Sequence, residues 1–282
     1  MLRRQAISLL LSSALRPAFA SQPTLERFLD PNSGAALLLD VRSGRLLASN
    51  NSPFVGKSLL PPGSTLKPFT LSALLTSGKL RPDASYLCPE RLTLAGRRMD
   101  CTHPRLGSAL HVDTAIAYSC NNFVAHAAEN VAPGELARSL QSRGLGSLTH
   151  LTDTSEVPGD IRPALSPEVQ KLQALGEDKI LITPAELAMA YRSLALHVQP
   201  PILTGLEGAV EFGTAQLAGV SWAKLAGKTG STRLGPQFMA WFAGFLPSRA
   251  PELVIVVMIA GHHGGSDAAP IARQILDDWK SR

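Results

Sequence analysis

The chain reads as an α+β protein in which an antiparallel sheet, built from N- and C-terminal strands and flanked by helices, carries an inserted all-helical lobe. Three observations predict this. Short apolar runs separated by turn residues stand at both ends of the sequence. The stretch from about 110 to 196 carries helical periodicity and caps. No internal repeat or low-complexity segment competes with that division.

Residues 1–20 have the make-up of a secretion leader. Arg3 and Arg4 supply the positive start, Ala6 to Leu15 a short apolar run, and Ala18-Phe19-Ala20 small residues around a cleavage point. The run falls short of the ~20 residues a spanning helix needs. The mature domain is therefore expected over residues 21–282, outside the cytoplasm, with the helical lobe at about 80–200. Ala35 to Asp40 and Arg45 to Ala48 are apolar runs joined by Arg42-Ser43-Gly44, a hairpin pattern. Pro61-Pro62-Gly63 breaks the chain, and Phe69, Leu71, Leu74 and Leu75 continue as a helix closed by Gly78. One helix is expected from Asp113 to Asn130. Another starts at Thr183-Pro184-Ala185-Glu186, where the capping Thr and the Glu three residues on form a capping box, which accounts for Glu186 without catalysis. Met239 to Leu246 and Leu253 to Ile259 form a second hairpin, and Pro270 to Trp279 a closing amphipathic helix.

Composition narrows the function. The net charge is +5 and part of it sits on Arg3, Arg4 and Arg16, so the mature chain is near +2. No Lys/Arg run exceeds two residues, which argues against nucleic acid as a partner. In an oxidising compartment two of the cysteines Cys88, Cys101 and Cys120 would pair. Cys88 and Cys101, flanking a short segment, are the expected disulfide, with free thiols as the next reading and a metal site suggested by Cys101-Thr102-His103 as the third. No metal site and no cofactor are expected, because no four-ligand spacing appears in the sequence and His262-His263 lacks a carboxylate or Cys at useful spacing.

Three short motifs carry chemistry: Gly63-Ser64-Thr65-Leu66-Lys67-Pro68, Ser119-Cys120-Asn121 and Lys228-Thr229-Gly230-Ser231-Thr232. Singly each has a plain structural explanation. A Ser before an apolar run is commonly a helix cap, and a Lys-Thr-Gly can mark a bulge. In this order, on a helix, a helical lobe and a strand, they are the signature of active-serine acyl-transfer enzymes. A serine hydroxyl needs a base to take its proton. Residues at i and i+3 share a helix face, so Lys67 is expected beside Ser64. Burial and the nearby Lys228 would lower the Lys67 pKa. Pro68 disfavours helical geometry at Lys67, a local conflict of the kind functional sites carry. The backbone N–H groups of Ser64 and Ser231 are the expected oxyanion hole, and Lys228, Thr229 and Ser231 are expected to hold a substrate carboxylate beside Gly230.

The stretch Pro62 to Thr70 resembles the active-serine motif of the transpeptidase domain of class B penicillin-binding proteins. Tyr118-Ser119-Cys120-Asn121 and Ala226-Gly227-Lys228-Thr229-Gly230-Ser231 are similar to that family's second and third motifs. Supporting matches lie at Ile182 to Ala188, Ala240 to Phe245 and Gly264 to Pro270. The resemblance implies the β-lactamase/transpeptidase-like fold and a peptidoglycan stem peptide ending in D-Ala-D-Ala. Ser64 would attack the penultimate D-Ala carbonyl, and β-lactams would acylate the same serine. Ser119 would relay a proton to the leaving group, and Asn121 would hold Lys67 and the substrate amide. Cell-wall synthesis partners are implied in general terms only. Ser231 stands where these transpeptidases usually carry Thr, and only about a dozen residues separate the expected leader from the matched stretch. The alternatives are a β-lactam sensor or scaffold of wall synthesis, or a class D-like β-lactamase. The Glu-x-x-Leu-Asn carboxylate of class A enzymes is absent, since no Asn follows Asn130.

Overall fold

Both faces of the central sheet are buried, which is why its strands read as unbroken apolar runs rather than alternating ones. The computed structural model describes residues 24–282 apart from 133, 153 and 154, so the leader expected over residues 1–20 lies outside the described residues. The sheet comprises β1 (Gly34–Asp40), β2 (Leu46–Ser49), β3 (Ala226–Leu234), β4 (Gln237–Leu246) and β5 (Leu253–Ala260). It runs β2-β1-β5-β4-β3 and is antiparallel throughout. The two ends of the chain meet at the centre, where Leu37 pairs with Val256. β3 is an edge strand.

Alternate residues of each strand serve two cores. Leu37, Leu39, Val254, Val256 and Trp241 face the helical lobe. Leu38, Phe242, Ile255 and Val257 face the C-terminal helix, which also buries Ala272, Ile275 and Leu276.

The helices bearing on the site are α1 (Lys67–Thr76), α2 (Val112–Ala117), α3 (Asn121–Ala127), α4 (Pro184–His197), α5 (Pro200–Glu211) and α6 (Ala269–Lys280). Both expected hairpins form, as does the Thr183–Glu186 capping box. The Glu186 carboxylate is 1% exposed and also accepts from the N–H groups of Gly146, Ser147 and Gly159, so it serves as a structural hub. The lobe, expected to be all helical, also carries three two-residue ribbons: Ser85–Tyr86 with Leu110–His111, Thr93–Leu94 with Arg97–Arg98, and Asp160–Ile161 with Ile180–Leu181.

Three local expectations are corrected. The helix expected from Asp113 to Asn130 is broken after Ala117, because Ser119 adopts a left-handed conformation (φ 58°) and Cys120 begins a new helix as its cap. Ser64 is not a cap but lies inside a 3-10 turn, Gly63–Leu66, that runs directly into α1. Lys67 stays helical (φ −53°, ψ −39°) despite Pro68, since a packed turn overrides the local preference. The sequence also conceals α5. Its double proline and its glycines at 205 and 208 are poor helix formers. The glycines are there for contact: a Cβ on Gly205 would stand 2.7 Å from the Asp113 carbonyl oxygen in α2.

Candidate active site

The edge strand β3 runs against the turn that bears Ser64. A Cβ on Gly230 would stand 2.7 Å from the Pro62 carbonyl oxygen, and one on Gly63 would stand 2.6 Å from Thr232 Cγ2. Both positions therefore require glycine. Gly63 also adopts φ 54°, a region that side chains rarely enter. Its N–H donates to the Gly176 carbonyl at 3.0 Å, which ties the turn to the loop after residue 174. On the other side, the buried Tyr191 of α4 donates its hydroxyl to the Thr65 carbonyl at 3.0 Å and packs edge-on against Phe69. Ser64 is thus carried on a turn clamped from three directions, and it remains partly exposed.

Lys67 is fully buried. Its ammonium directs three hydrogens into the break between α2 and α3: to the Ser119 carbonyl at 2.6 Å, to Ser119 Oγ at 3.2 Å and to Asn121 Oδ1 at 2.5 Å. The first two motifs therefore meet through this one amine. The Asn121 amide nitrogen donates in turn to the Met99 carbonyl at 2.9 Å. The left-handed Ser119 costs about 1–3 kcal/mol and aims both its carbonyl and its hydroxyl at the amine.

The direct Ser64–Lys67 hydrogen bond implied by their spacing is absent, because the amine is engaged by Ser119 and Asn121. Burial lowers the Lys67 pKa to about 8, opposed by the Cys120, Cys101 and Glu177 charges. Near pH 7 only roughly one molecule in ten carries the neutral amine. The protonated form has no lone pair for the Ser64 hydrogen and spends its donors on Ser119 and Asn121. Lys228 is also fully buried, and its pKa is driven well below the ordinary lysine value, first by burial and then by the Lys67 charge. The repulsion expected to act on Lys67 thus falls on Lys228. Burial is what lowers Lys67.

Period two along β3 places Lys228 and Gly230 on the face toward the Ser64 turn and Thr229 and Ser231 on the other. The Thr229 hydroxyl donates to Thr214 Oγ1 at 2.8 Å, and Ser231 Oγ accepts from the Gly264 N–H at 3.1 Å. Ser231 is exposed at the sheet edge. Of the expected site residues, Ser64, Lys67, Ser119, Asn121, Lys228, Thr229, Gly230 and Ser231 are all brought to this one region.

Arrangement and sequence pattern together identify the family. The transpeptidase domain of penicillin-binding proteins matches residues 34–208 and 202–277. The chain belongs to this family. Among curated relatives, this transpeptidase domain is 25% identical to the probable peptidoglycan D,D-transpeptidase PbpC of Pseudomonas aeruginosa, over 94% of this chain and 57% of that protein. It is also 25% identical to the peptidoglycan D,D-transpeptidase FtsI of Escherichia coli K12, over 88% of this chain and 51% of that one. The chain thus spans a little over half the length of these relatives. The fold matches the crystal structure of P. aeruginosa PBP2 in complex with WCK 5153, with a TM-score of 0.81 at 21% identity, covering 90% of this chain and 75% of that one. It matches a peptidoglycan glycosyltransferase from Burkholderia ambifaria with a TM-score of 0.79 at 23% identity, over 91% of each chain.

Two features of the transpeptidase site carried no sequence signal. Glu177 is 7% exposed, accepts from Arg97 at 2.7 Å, and has its pKa raised by burial; its charge reaches Lys67. Thr214 reaches Thr229 from a loop outside every motif. The disulfide expected between Cys88 and Cys101 is not formed. All three cysteines are free thiols, with the Cys88 and Cys101 sulfurs 3.6 Å apart and those of Cys101 and Cys120 3.7 Å apart.

Proposed function

We propose that this chain is a serine D,D-transpeptidase or D,D-carboxypeptidase domain that acts on peptidoglycan stem peptides through a Ser64 acyl-enzyme and binds β-lactams at the same serine. The observation that carries this reading is the buried Lys67 amine. It lies on the turn of a partly exposed serine, bonded to both polar residues of the second motif, with its pKa brought near neutrality.

In this reading, the neutral Lys67 gives up one acceptor, takes the Ser64 hydrogen, and lets Oγ attack the penultimate D-Ala carbonyl. The N–H groups of Ser64 and Ser231 stabilise the oxyanion. Ser119, already within 3.2 Å of Lys67 Nζ, passes the proton to the departing D-Ala amine, while Asn121 keeps Lys67 in register. The free edge of β3 accepts the substrate as an added strand, with Gly230 leaving room for its backbone and Lys228, Thr229 and Ser231 near its carboxylate. An amine or water then releases the acyl group. The substrate lies outside the cytoplasm, in keeping with a cleaved leader over residues 1–20 and a periplasmic or extracellular domain. Among the described residues no helix is long and apolar enough to cross a membrane.

Incubation with a fluorescent penicillin tests the reading. The label should be covalent and lost in Ser64→Ala, and a D-Ala-D-Ala peptide should release D-Ala. Rapid turnover of a chromogenic β-lactam would instead mark a β-lactamase, and a stable adduct without D-Ala release a sensor.

A further inference from the structure

We propose that Cys88, Cys101, His103 and Cys120 form a tetrahedral zinc site that fastens the second motif to the ribbon segment beside it. The four donor atoms lie within 4.8 Å of one another. Around a zinc ion with Zn–S near 2.3 Å, tetrahedral sulfurs stand ~3.8 Å apart. The observed separations of 3.6 and 3.7 Å approach that figure. Cys101 is almost equidistant from its two sulfur neighbours, which is the geometry of a shared centre and not of a chosen disulfide pair.

The surroundings point the same way. His103 Nδ1 lies 2.9 Å from the Pro104 carbonyl, so this nitrogen carries the hydrogen and Nε2 keeps its lone pair. That Nε2 is buried without a hydrogen-bond partner. An imidazole held by a carbonyl at one nitrogen and open at the other is the usual condition of a zinc-bound histidine. Each sulfur also receives a donor: the Glu90 N–H reaches Cys88 at 3.3 Å, the Asn122 side-chain amide reaches Cys101 at 3.3 Å, and the Phe123 N–H reaches Cys120 at 3.4 Å. Thiolate-rich tetrahedral sets favour zinc over magnesium or calcium. On binding, each neutral thiol that ligates loses one proton to solvent, and His103 binds as the neutral imidazole. In the sequence only Cys101-Thr102-His103 hints at the site, because the other ligands stand at 88 and 120.

Cys120 sits between Ser119 and Asn121, and the Met99 and Asp100 carbonyls that hold the Asn121 amide immediately precede Cys101. A metal joining Cys101 to Cys120 would fix that pairing.

The test uses the whole chain, purified with zinc under reducing conditions. One zinc per chain should survive gel filtration. Cobalt added to the metal-free chain should give thiolate-to-cobalt charge transfer and the visible bands of tetrahedral coordination. His103→Gln should weaken zinc binding at least ~10-fold, since losing even a group that only orients a ligand costs that much. Amide exchange at residues 119–123 should slow on zinc addition. A folded chain that retains no zinc, or a disulfide among these cysteines in protein whose thiols were blocked at lysis, would overturn the site. Bound zinc with unchanged exchange at 119–123 would overturn the fastening role. None of these readouts depends on whether Ser64 is acylated.

Discussion

Lys67 of the first motif and Asn121 of the second are joined by a 2.5 Å hydrogen bond across the break between α2 and α3. The break exists because Ser119 takes a left-handed conformation. Without it, a continuous helix would carry Ser119 and Asn121 away from one another around the helix axis, and the amine would lose its common partner set.

Lys67→Met should keep the fold and lose acylation. The side chain is buried and a methionine fills most of its volume, while the base is gone. Far-ultraviolet circular dichroism should be unchanged and the rate of penicillin labelling should fall at least ~100-fold, the lower end of what a positioned general base supplies.

The acylation rate should rise with pH through about 8, the value to which burial brings Lys67. The sign follows from the chemistry: only the deprotonated amine can accept the Ser64 hydrogen, so activity appears as the ammonium is lost. Stopped-flow labelling from pH 6 to pH 9 at constant ionic strength measures the midpoint.

Glu177→Gln should move that midpoint to lower pH. The Glu177 charge favours the protonated form of Lys67, and removing it lets the amine lose its proton sooner. The same pH series on the variant gives the shift.

Gly63→Ala should destabilise the domain by more than ~1 kcal/mol, because the position needs φ 54° and the new Cβ would meet Thr232 Cγ2 at 2.6 Å. Thermal melts give the change, and labelling should fall with it because this residue precedes Ser64.

Glu186→Ala separates structure from chemistry. It removes the acceptor for four backbone N–H groups, those of Gly146, Ser147, Gly159 and Thr183. A loss of about 2 kcal/mol or more is expected by urea melts, with normal labelling per folded molecule.

Much of the fold and the motif set was legible because it rests on local rules. The hairpin of β1 and β2, the hairpin of β4 and β5, and the Thr183–Glu186 cap are each written in adjacent residues. What escaped depends on distant contacts. The helix break at Ser119 is met by Lys67, which lies 52 positions earlier in the chain. α5 forms although its glycines oppose it, because α2 needs the close approach at Gly205. The partners of Thr229 and Lys67 from loops, Thr214 and Glu177, have no periodic or motif signal at all. The sulfur cluster likewise joins residues whose spacing matches no common ligand pattern.

Intact-mass measurement after exposure to benzylpenicillin, followed by peptide mapping, shows whether Ser64 is the acylated residue. One adduct of the mass of the whole β-lactam is expected, confined to the peptide containing Ser64 and absent from Ser64→Ala. An adduct that persists in Ser64→Ala, or that maps to another residue, would contradict it.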